Sequence, residues 1–316
     1  LSMETKYLLP RMGSFYKANL HCHTTVSDGR LLPEEVKRVY REKGYQIVAY
    51  TDHRQYVNHS DLNDESFLAL AGYEVDINDG GRRLTNTEKT YHFNLYDTDP
   101  SVPKECILPD ALYEDIGAIN RYISEMTGQG FLVCYNHPYW SVQNYDDYKD
   151  LRGCFAMEIY NHGCELEGMY GYNPQAYDEM LRTGNRLFCV AADDNHNAAR
   201  PDSYYWDSCG GFTMIKAASL SYGAVIEALR QGHFYASTGP EIHDIYIEDG
   251  VLQITCSEVD KIYVLTEGRR CHSKVSEDGK PLCSASFQLT GEEGYIRVHC
   301  RDKNGNHADS NAYFLE

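Results

Sequence analysis

Two rhythms of apolar and polar positions divide the chain. Up to about Gly239, short apolar runs alternate with stretches of helical period. Phe15 to Leu20 reads as a strand. Pro33 to Lys43 reads as a helix, with Pro in its first turn, Glu34 and Glu35 beside it, Val36, Val39 and Tyr40 on one face, and Gly44 as the stop. Gln46 to Thr51 and the run from Phe67 predict further strands. Leu112, Ile116, Ile119 and Ile123 recur at the spacing of a buried helix face. Phe131 to Asn136, Cys154 to Tyr160 and Leu187 to Ala192 predict strands. Asn173-Pro174 opens a helix that Gly184 closes, and Ser221 to Arg230 forms a last helix before "HFYAS". This order predicts an α/β fold with a mainly parallel sheet or barrel. The polar stretch from Asn78 to Thr90 reads as an excursion over the surface.

After Gly239-Pro240 the period shortens to two. "IHDIYIEDGVLQITC" alternates around Asp249-Gly250, a strong hairpin signal. "KIYVLT", "SASFQLT", "GYIRVHC" and "NAYFLE" follow with Gly-rich turns and no helical periodicity. Residues 1–239 are therefore expected to form one unit and 240–316 a small antiparallel β-sandwich. The alternative is that the late strands extend the first sheet.

Composition changes the picture only in part. A length of 316 residues suits one large α/β domain with a small companion. A net charge of −18 argues against a stable nucleic-acid complex, because phosphate backbones call for Lys and Arg. It also repels phosphorylated substrates unless a local positive centre intervenes, and metal ions are such centres. The 11 cysteines contain no C-x-x-C pair, which predicts free thiols and a reducing cytoplasm. No apolar run is long enough for a membrane span. The N-terminus lacks a signal pattern, and Leu1-Ser2-Met3 reads as a remnant of cloning.

Candidate chemistry collects at the predicted strand ends. His21 and His23 follow the first strand, with Asp28 just beyond. His53 follows the second strand, Glu74 lies late in the third, and His137 follows "FLVCYN". Asp194 and His196 follow "LFCVAA". In parallel α/β barrels the carboxyl ends of the strands converge on one face. Residues i and i+2 of an extended segment point the same way, so His21 and His23 can share an ion, as can Asp194 and His196. Imidazole mixed with carboxylate suits Zn, Mn or Fe better than Ca or Mg, and the number of groups suits a cluster of two or three divalent ions.

With His21-Cys22-His23, Ser27-Asp28-Gly29, Thr51-Asp52-His53, Gly72-Tyr73-Glu74, Asn136-His137-Pro138 and Asp194-Asn195-His196 in this order, the chain resembles the polymerase-and-histidinol-phosphatase (PHP) domain family from about Asn19 to Gly239. "GHFYASTGP" and the β-rich tail are similar to members that carry a C-terminal sandwich. The resemblance implies a distorted (β/α)7 barrel with up to three divalent metals. It implies that His21, His23, Glu74 and Asp194 bind the first, and that Glu74 bridges to a second, which also takes His92 and His137. Asp28, His53 and His196 would bind the third. His92 departs from the pattern by lying early in its strand. Asp193 stands where the family usually has Ser, either as an outer acceptor or as a rival to Asp194. His162 offers a spare imidazole, and Glu158 and Asn161 are candidates for orienting ligands.

Clustered divalent metals predict a phosphoesterase acting on a small phosphorylated metabolite or nucleotide through a metal-bridging hydroxide. Arg200, and after it Arg54, is the candidate for gripping phosphate, and His233 the candidate proton donor. Two alternatives stand beside this. One is metal-dependent hydrolysis of a carboxyl ester, amide or carbamate. The other is a catalytically silent barrel whose sandwich binds a partner or sugar. The sandwich is expected to pack on the barrel and to mediate a homodimer. Specificity is assigned to the stretches 78–90, 141–150, 165–173 and 197–209.

Overall fold

The computed structural model describes residues 4–80 and 87–316. The opening tripeptide and the middle of the 78–90 stretch lie outside the described residues. The elements are β1 (Lys6–Tyr7), β2 (Ser14–Asn19), α1 (Pro33–Glu42), β3 (Ile47–Tyr50), β4 (Leu68–Asn78), β5 (Thr90–Asp97), α2 (Ile116–Gly128), β6 (Phe131–Tyr135), α3 (Tyr145–Tyr148), β7 (Ala156–Asn161), α4 (His162–Gly168) and α5 (Pro174–Arg182). There follow β8 (Phe188–Ala192), β9 (Phe212–Ala217), α6 (Tyr222–Gln231), β10 (Phe234–Ser237), β11 (Ile242–Glu248), β12 (Val251–Val259), β13 (Lys261–Thr266), β14 (His272–Val275), β15 (Leu282–Gln288), β16 (Tyr295–Arg301), β17 (His307–Ser310) and β18 (Tyr313–Phe314). None of the described helices is long and apolar enough to cross a membrane.

The result is a mixed α/β fold around one large mixed sheet. Its strands run in the order β14-β13-β16-β17-β10-β9-β2-β3-β4-β5-β6-β7-β8, with β18 beside β16. β2, β3 and β4 are mutually parallel, as are β6, β7 and β8. β5 runs against both of its neighbours, so β4 and β6 point the same way. A strict alternation of parallel strand and helix therefore does not hold. The sheet curls until the segments following β2 and β8 meet in a parallel bridge between Cys22 and Asn195.

Alternation along each strand sorts side chains between layers. On β3, Ile47 and Ala49 join an apolar cluster with Leu20, Leu70 and Val190, to which α6 adds Val225, Ile226 and Leu229. Val48 and Tyr50 face the other way, into a cluster with Val36 and Tyr40 of α1. α2 packs Ile119, Ile123 and Met126 against Phe93 and Val133. Leu112 does not belong to that face: it precedes the helix, whose cap is Asp115, and is exposed.

Beyond residue 239 the strands take two paths. β1, β11, β12 and β15 make a separate four-stranded sheet. The β11–β12 hairpin turns at Asp249 (φ 53°) and Gly250 (φ 77°), the paired positive φ of a type I′ turn. β13, β14, β16 and β17 instead continue the large sheet through the β17–β10 pairing. Both groups bury side chains in one apolar cluster that includes Ile245, Leu252, Ile254, Ile262 and Val298. Among the described residues, strand pairing thus crosses residue 239 twice, at β10–β17 and at β1–β11.

Candidate metal centre

Parallel strands send their following loops out at one end of the sheet, and the polar groups collect there. Backbone pairing draws the first and last of these loops together: the His23 amide donates to the Asn195 carbonyl at 3.0 Å, and the Asp194 amide to the His21 carbonyl at 2.9 Å. Asp52 shapes the loop after His23. Its carboxylate accepts from the Thr24 and Ser27 amides at 2.7 and 3.2 Å and from their hydroxyls at 2.9 and 2.6 Å. A side chain at Gly29 would lie 2.4 Å from the His23 carbonyl oxygen, so this turn closes only with glycine. Asp194 (φ 54°) and His137 (φ 28°) hold left-handed backbone conformations, which cost a non-glycine residue about 1 kcal/mol or more each.

Glu74 is the centre of the arrangement. Its Oε2 lies 3.3 Å from His21 Nε2, 3.1 Å from His23 Nε2 and 3.3 Å from His53 Nδ1. Its Oε1 lies 2.9 Å from His92 Nδ1 and 3.7 Å from His137 Nε2 on the other side. Asp194 Oδ1 closes the first group, 3.1 Å from His21 Nε2 and 2.9 Å from His23 Nε2. Asp28 lies 3.4 Å from both His53 Nε2 and His196 Nε2. The nine histidines and carboxylates singled out as ligands thus share one end of the sheet. His92 belongs there although it lies early in its strand, because β5 is reversed: it pairs with Asp76, late in β4.

The ring nitrogens not facing the centre are held from behind. His21 Nδ1 is 2.6 Å from Glu158 Oε2, His137 Nδ1 is 3.0 Å from Ser141 Oγ, and His196 Nδ1 is 2.9 Å from the Asp194 carbonyl oxygen. Glu158 also accepts from the His137 amide and from Asn161 Nδ2, both at 3.0 Å. Such contacts fix ring orientation and tautomer, as they do behind metal-ligating imidazoles.

The electrostatics favour positive charge at the centre. Burial disfavours charge on His23, but the neighbouring Asp194 and Glu74 carboxylates outweigh it and lift the imidazole to about 10. His21 also rises, burial being overcome by Asp194 and Glu158. Burial would push the Glu74 and Asp194 carboxyls up, yet His21 and its neighbours hold both well below the usual carboxylate range. Meanwhile Glu74 Oε2, Asp194 Oδ1 and His23 Nδ1 are buried and have no hydrogen-bond partner. Glu74 Oε2 and Asp194 Oδ1 converge on one point beside His21 and His23 Nε2, while His23 Nδ1 is turned toward Asp28 at 3.7 Å; buried lone pairs left unsatisfied in this way are what a cation-binding set requires, and these side chains fit divalent ions. The fit is graded. The His21 and His23 side chains are 0% exposed, His53 and His196 about a third, and Asp28 54%.

A cavity of about 530 Å³ opens above the cluster. Trp140, Cys164, Leu166, Glu167, Tyr205 and Asp207 contribute to its wall, and no Lys or Arg does so among the described residues. Neither Trp140 nor Cys164 was singled out by sequence. Trp140 lies three residues beyond His137, and Cys164 three residues beyond the end of β7, in α4; neither carries a sequence signal of its own.

The three candidates for catalysis outside the ligand set are corrected. The Arg200 side chain is 84% exposed and pairs with Asp202 at 3.0 Å, away from the cavity wall. His233 immediately precedes β10, which two antiparallel pairings make parallel to β2, so it lies at the opposite end of the sheet. Asp193 turns away from the cluster. Its carboxylate accepts from the Tyr40 hydroxyl at 2.6 Å and from the amides of Cys209, Gly210 and Gly211 at 2.6, 3.0 and 2.7 Å. It anchors the loop before β9, and Asp194 keeps the inward position. Arg54 is engaged by Asp76, with Nε 2.7 Å from Oδ1, and His162 contacts the Tyr160 hydroxyl at 2.8 Å.

A second gathering of histidine and aspartate joins β16 and β17. Asp309 Oδ1 lies 2.8 Å from His299 Nδ1, and Oδ2 lies 2.8 Å from His307 Nδ1. The Tyr172 hydroxyl donates to the same carboxylate at 3.1 Å, and Arg297 Nη1 is 3.6 Å away. Arg301 Nε donates to His299 Nε2 at 3.2 Å.

No family model matches the chain, and no curated protein matches it. Solved structures do. A two-domain protein from Bacteroides vulgatus, containing a predicted PHP-like metal-dependent phosphoesterase, is 16% identical with a TM-score of 0.47, covering 98% of each chain. A protein from Bifidobacterium adolescentis, provisionally described as a metal-dependent phosphoesterase, is 15% identical with a TM-score of 0.40 over 61% of this chain and 91% of that one. An amidohydrolase from Chromobacterium violaceum, with bound sulfate and no metal, is 15% identical with a TM-score of 0.39 over 57% of this chain and 87% of that one.

Proposed function

We propose that the protein is a metal-dependent hydrolase acting on a phosphate ester of a small molecule. One observation carries this reading: Glu74 Oε2 and Asp194 Oδ1 are buried without hydrogen-bond partners while facing His21 Nε2 and His23 Nε2 at 2.9–3.3 Å. His21, His23, Glu74 and Asp194 would hold one ion, Glu74, His92 and His137 a second, and Asp28, His53 and His196 a third. Zn, Mn and Fe match this donor set. Bound divalent ions acidify water and offset charge on phosphoryl oxygens.

The chain's own residues do the rest. Glu74 presents one oxygen to each side and fixes the separation of two subsites. Glu158 and the Asp194 carbonyl aim imidazoles inward. Trp140 and Tyr205 wall a cavity of a size suited to a small ligand. The curved sheet, closing at Cys22–Asn195, is read as a distorted barrel, and residues 240–316 as a two-layered unit that backs it. Because no Lys or Arg lines the cavity among the described residues, a second reading has an uncharged carboxyl ester or amide as substrate.

Elemental analysis joined to a panel of phosphate monoesters, phosphate diesters, carboxyl esters and amides tests both readings. The wild-type protein is expected to carry at least two divalent ions and to hydrolyse a phosphoester, and His23→Ala to lose metal and turnover together. Equal turnover in His23→Ala removes this cluster from the chemistry.

A further inference from the structure

One buried thiol stands against the ligand set without a role in the account so far. Cys164 lies in α4, directly after β7. Its amide donates to Asn161 Oδ1 at 3.0 Å, and Asn161 Nδ2 donates in turn to Glu158 Oε1 at 3.0 Å and Asp194 Oδ2 at 3.1 Å. The backbone bearing the thiol is therefore tied to the same side chains that hold the imidazoles and Asp194 in place. The residue is 3% exposed and contributes to the cavity wall beside the cluster. Its Sγ and ligand atoms of His137 and Asp194 all lie within 4.8 Å of one another.

Other buried thiols of the chain are differently placed. Those of Cys22, Cys134 and Cys189 approach backbone carbonyl oxygens of His23, Tyr135 and Ser310 at 3.7, 3.9 and 3.5 Å. Cys164 has no such acceptor among the described residues. Its neighbours instead are an imidazole whose Nε2 lies 3.7 Å from Glu74 Oε1 and 3.8 Å from Asp194 Oδ2, and the Asp194 carboxylate, whose Oδ2 accepts from Asn161 Nδ2 at 3.1 Å. A soft donor, a borderline donor and a hard donor thus face one small volume.

We propose that Cys164 is a further ligand to the ion assigned above to Glu74, His92 and His137, at the side of His137 that faces Asp194, and that its sulfur biases this subsite toward zinc or ferrous iron and against manganese. The proposal rests on the metal-centre reading above and adds a donor to it. Thiolate is a soft ligand that manganese accepts poorly, whereas zinc and ferrous iron take it readily. On binding, the S–H bond breaks, the sulfur–metal bond forms and the proton leaves to solvent; no electron changes hands. With imidazole and carboxylate alone, the same subsite would discriminate less among these ions.

Cobalt(II) serves as the probe, because sulfur ligation adds a near-ultraviolet charge-transfer band to the visible ligand-field bands. The full-length protein, freed of metal by chelation, is titrated with cobalt as wild type, Cys164→Ser and Cys164→Ala. The wild type is expected to show both sets of bands. Cys164→Ser is expected to keep the ligand-field bands, lose the charge-transfer band, and lower the zinc-over-manganese affinity ratio about tenfold. Ligand-field bands without charge transfer in the wild type overturn the role of Cys164 and leave the metal centre standing. A charge-transfer band that persists in Cys164→Ser assigns the sulfur elsewhere and also overturns it. Failure of the wild type to take up cobalt, zinc or manganese overturns the metal centre itself. Should either variant fail to fold, the wild-type spectrum and the remaining variant decide.

Discussion

Asp194 at the strand ends and Asp309 on β17 each sit between two buried imidazoles, at nearly the same distances. Asp194 Oδ1 is 3.1 and 2.9 Å from His21 and His23, and Asp309 is 2.8 Å from both His299 and His307. What separates them is the accounting of lone pairs. Asp309 also receives the Tyr172 hydroxyl and has Arg297 beside it, while Arg301 donates to His299, so the protein itself supplies the donors. Around Asp194 the donors run out: Oδ1, Glu74 Oε2 and His23 Nδ1 stay buried without partners. Composition alone would call both clusters ion sites. The oxygens of Asp309 are satisfied within the protein, although Arg297 Nη1 beside them is not, whereas Glu74 Oε2 and Asp194 Oδ1 are left over, which favours a cation at the strand ends and a structural joint between the tail and the sheet at Asp309.

Substitutions can break that contrast. Glu74→Gln removes the carboxylate shared by two subsites and is expected to lower kcat/KM by about a thousandfold, roughly 4 kcal/mol, with loss of bound metal by elemental analysis. An unchanged metal content would put the strand-end cluster in the same class as Asp309. Asp309→Asn is expected to leave metal content alone and to cost about 1–3 kcal/mol of stability in denaturant unfolding, because His299, His307 and the Tyr172 hydroxyl lose a shared buried charged acceptor, whereas Arg297 keeps its pairing with Asp178. Its pH dependence has a definite sign. Burial opposes the Asp309 charge, but His299 and His307 hold its pKa well below the ordinary 3.8. Its contribution is therefore complete above that ordinary value and is lost as the pH falls further, so the gap between wild type and variant should narrow on acidification.

Smaller effects sharpen the comparison. Glu158→Gln keeps the shape behind His21 but weakens the acceptor, and a drop of about 10–100-fold in metal affinity is expected by competition with a chelator. Arg200→Ala should change kcat/KM by no more than about twofold, since its exposed side chain pairs with Asp202 and is not part of the cavity wall. A large loss there would return this arginine to the site.

Much of the candidate cluster at the strand ends was legible because its geometry is local. An extended segment fixes that His21 and His23 share a side, and a polar residue at the end of an apolar run places Glu74, His137 and Asp194. Glu158 and Asn161 could be named as supports from their place at the end of β7. Direction was harder. The reversal of β5 depends on which strand pairs with which, and no periodicity records it, so His92 looked misplaced. The same blindness made His233 a proton donor, since nothing in "GHFYAS" shows that β10 begins at the far end of the sheet. Asp193 and Asp194 are neighbours whose opposite orientations follow from the positive φ of Asp194. Cys164 was hidden among unpatterned cysteines, because its relation to His137 and Asp194 arises only when α4 folds across the end of the sheet. The union of the tail with the first sheet rests on pairing between residues 73 or so positions apart in sequence, Tyr235 with Ser310 and Ala236 with Asp309.

That pairing makes the C-terminal strands a seal. β10 has β9 on one flank and β17 on the other, so a chain trimmed after residue 239 would bare the amides and carbonyls of Tyr235 to Ser237 along a raw border. Naked borders of this kind recruit strands from other molecules. Trimming would also deprive Tyr172, four residues past α4, of its anchor on Asp309. With the tail in place the border of the large sheet lies instead at β14, a strand of four mostly exposed residues that include Lys274.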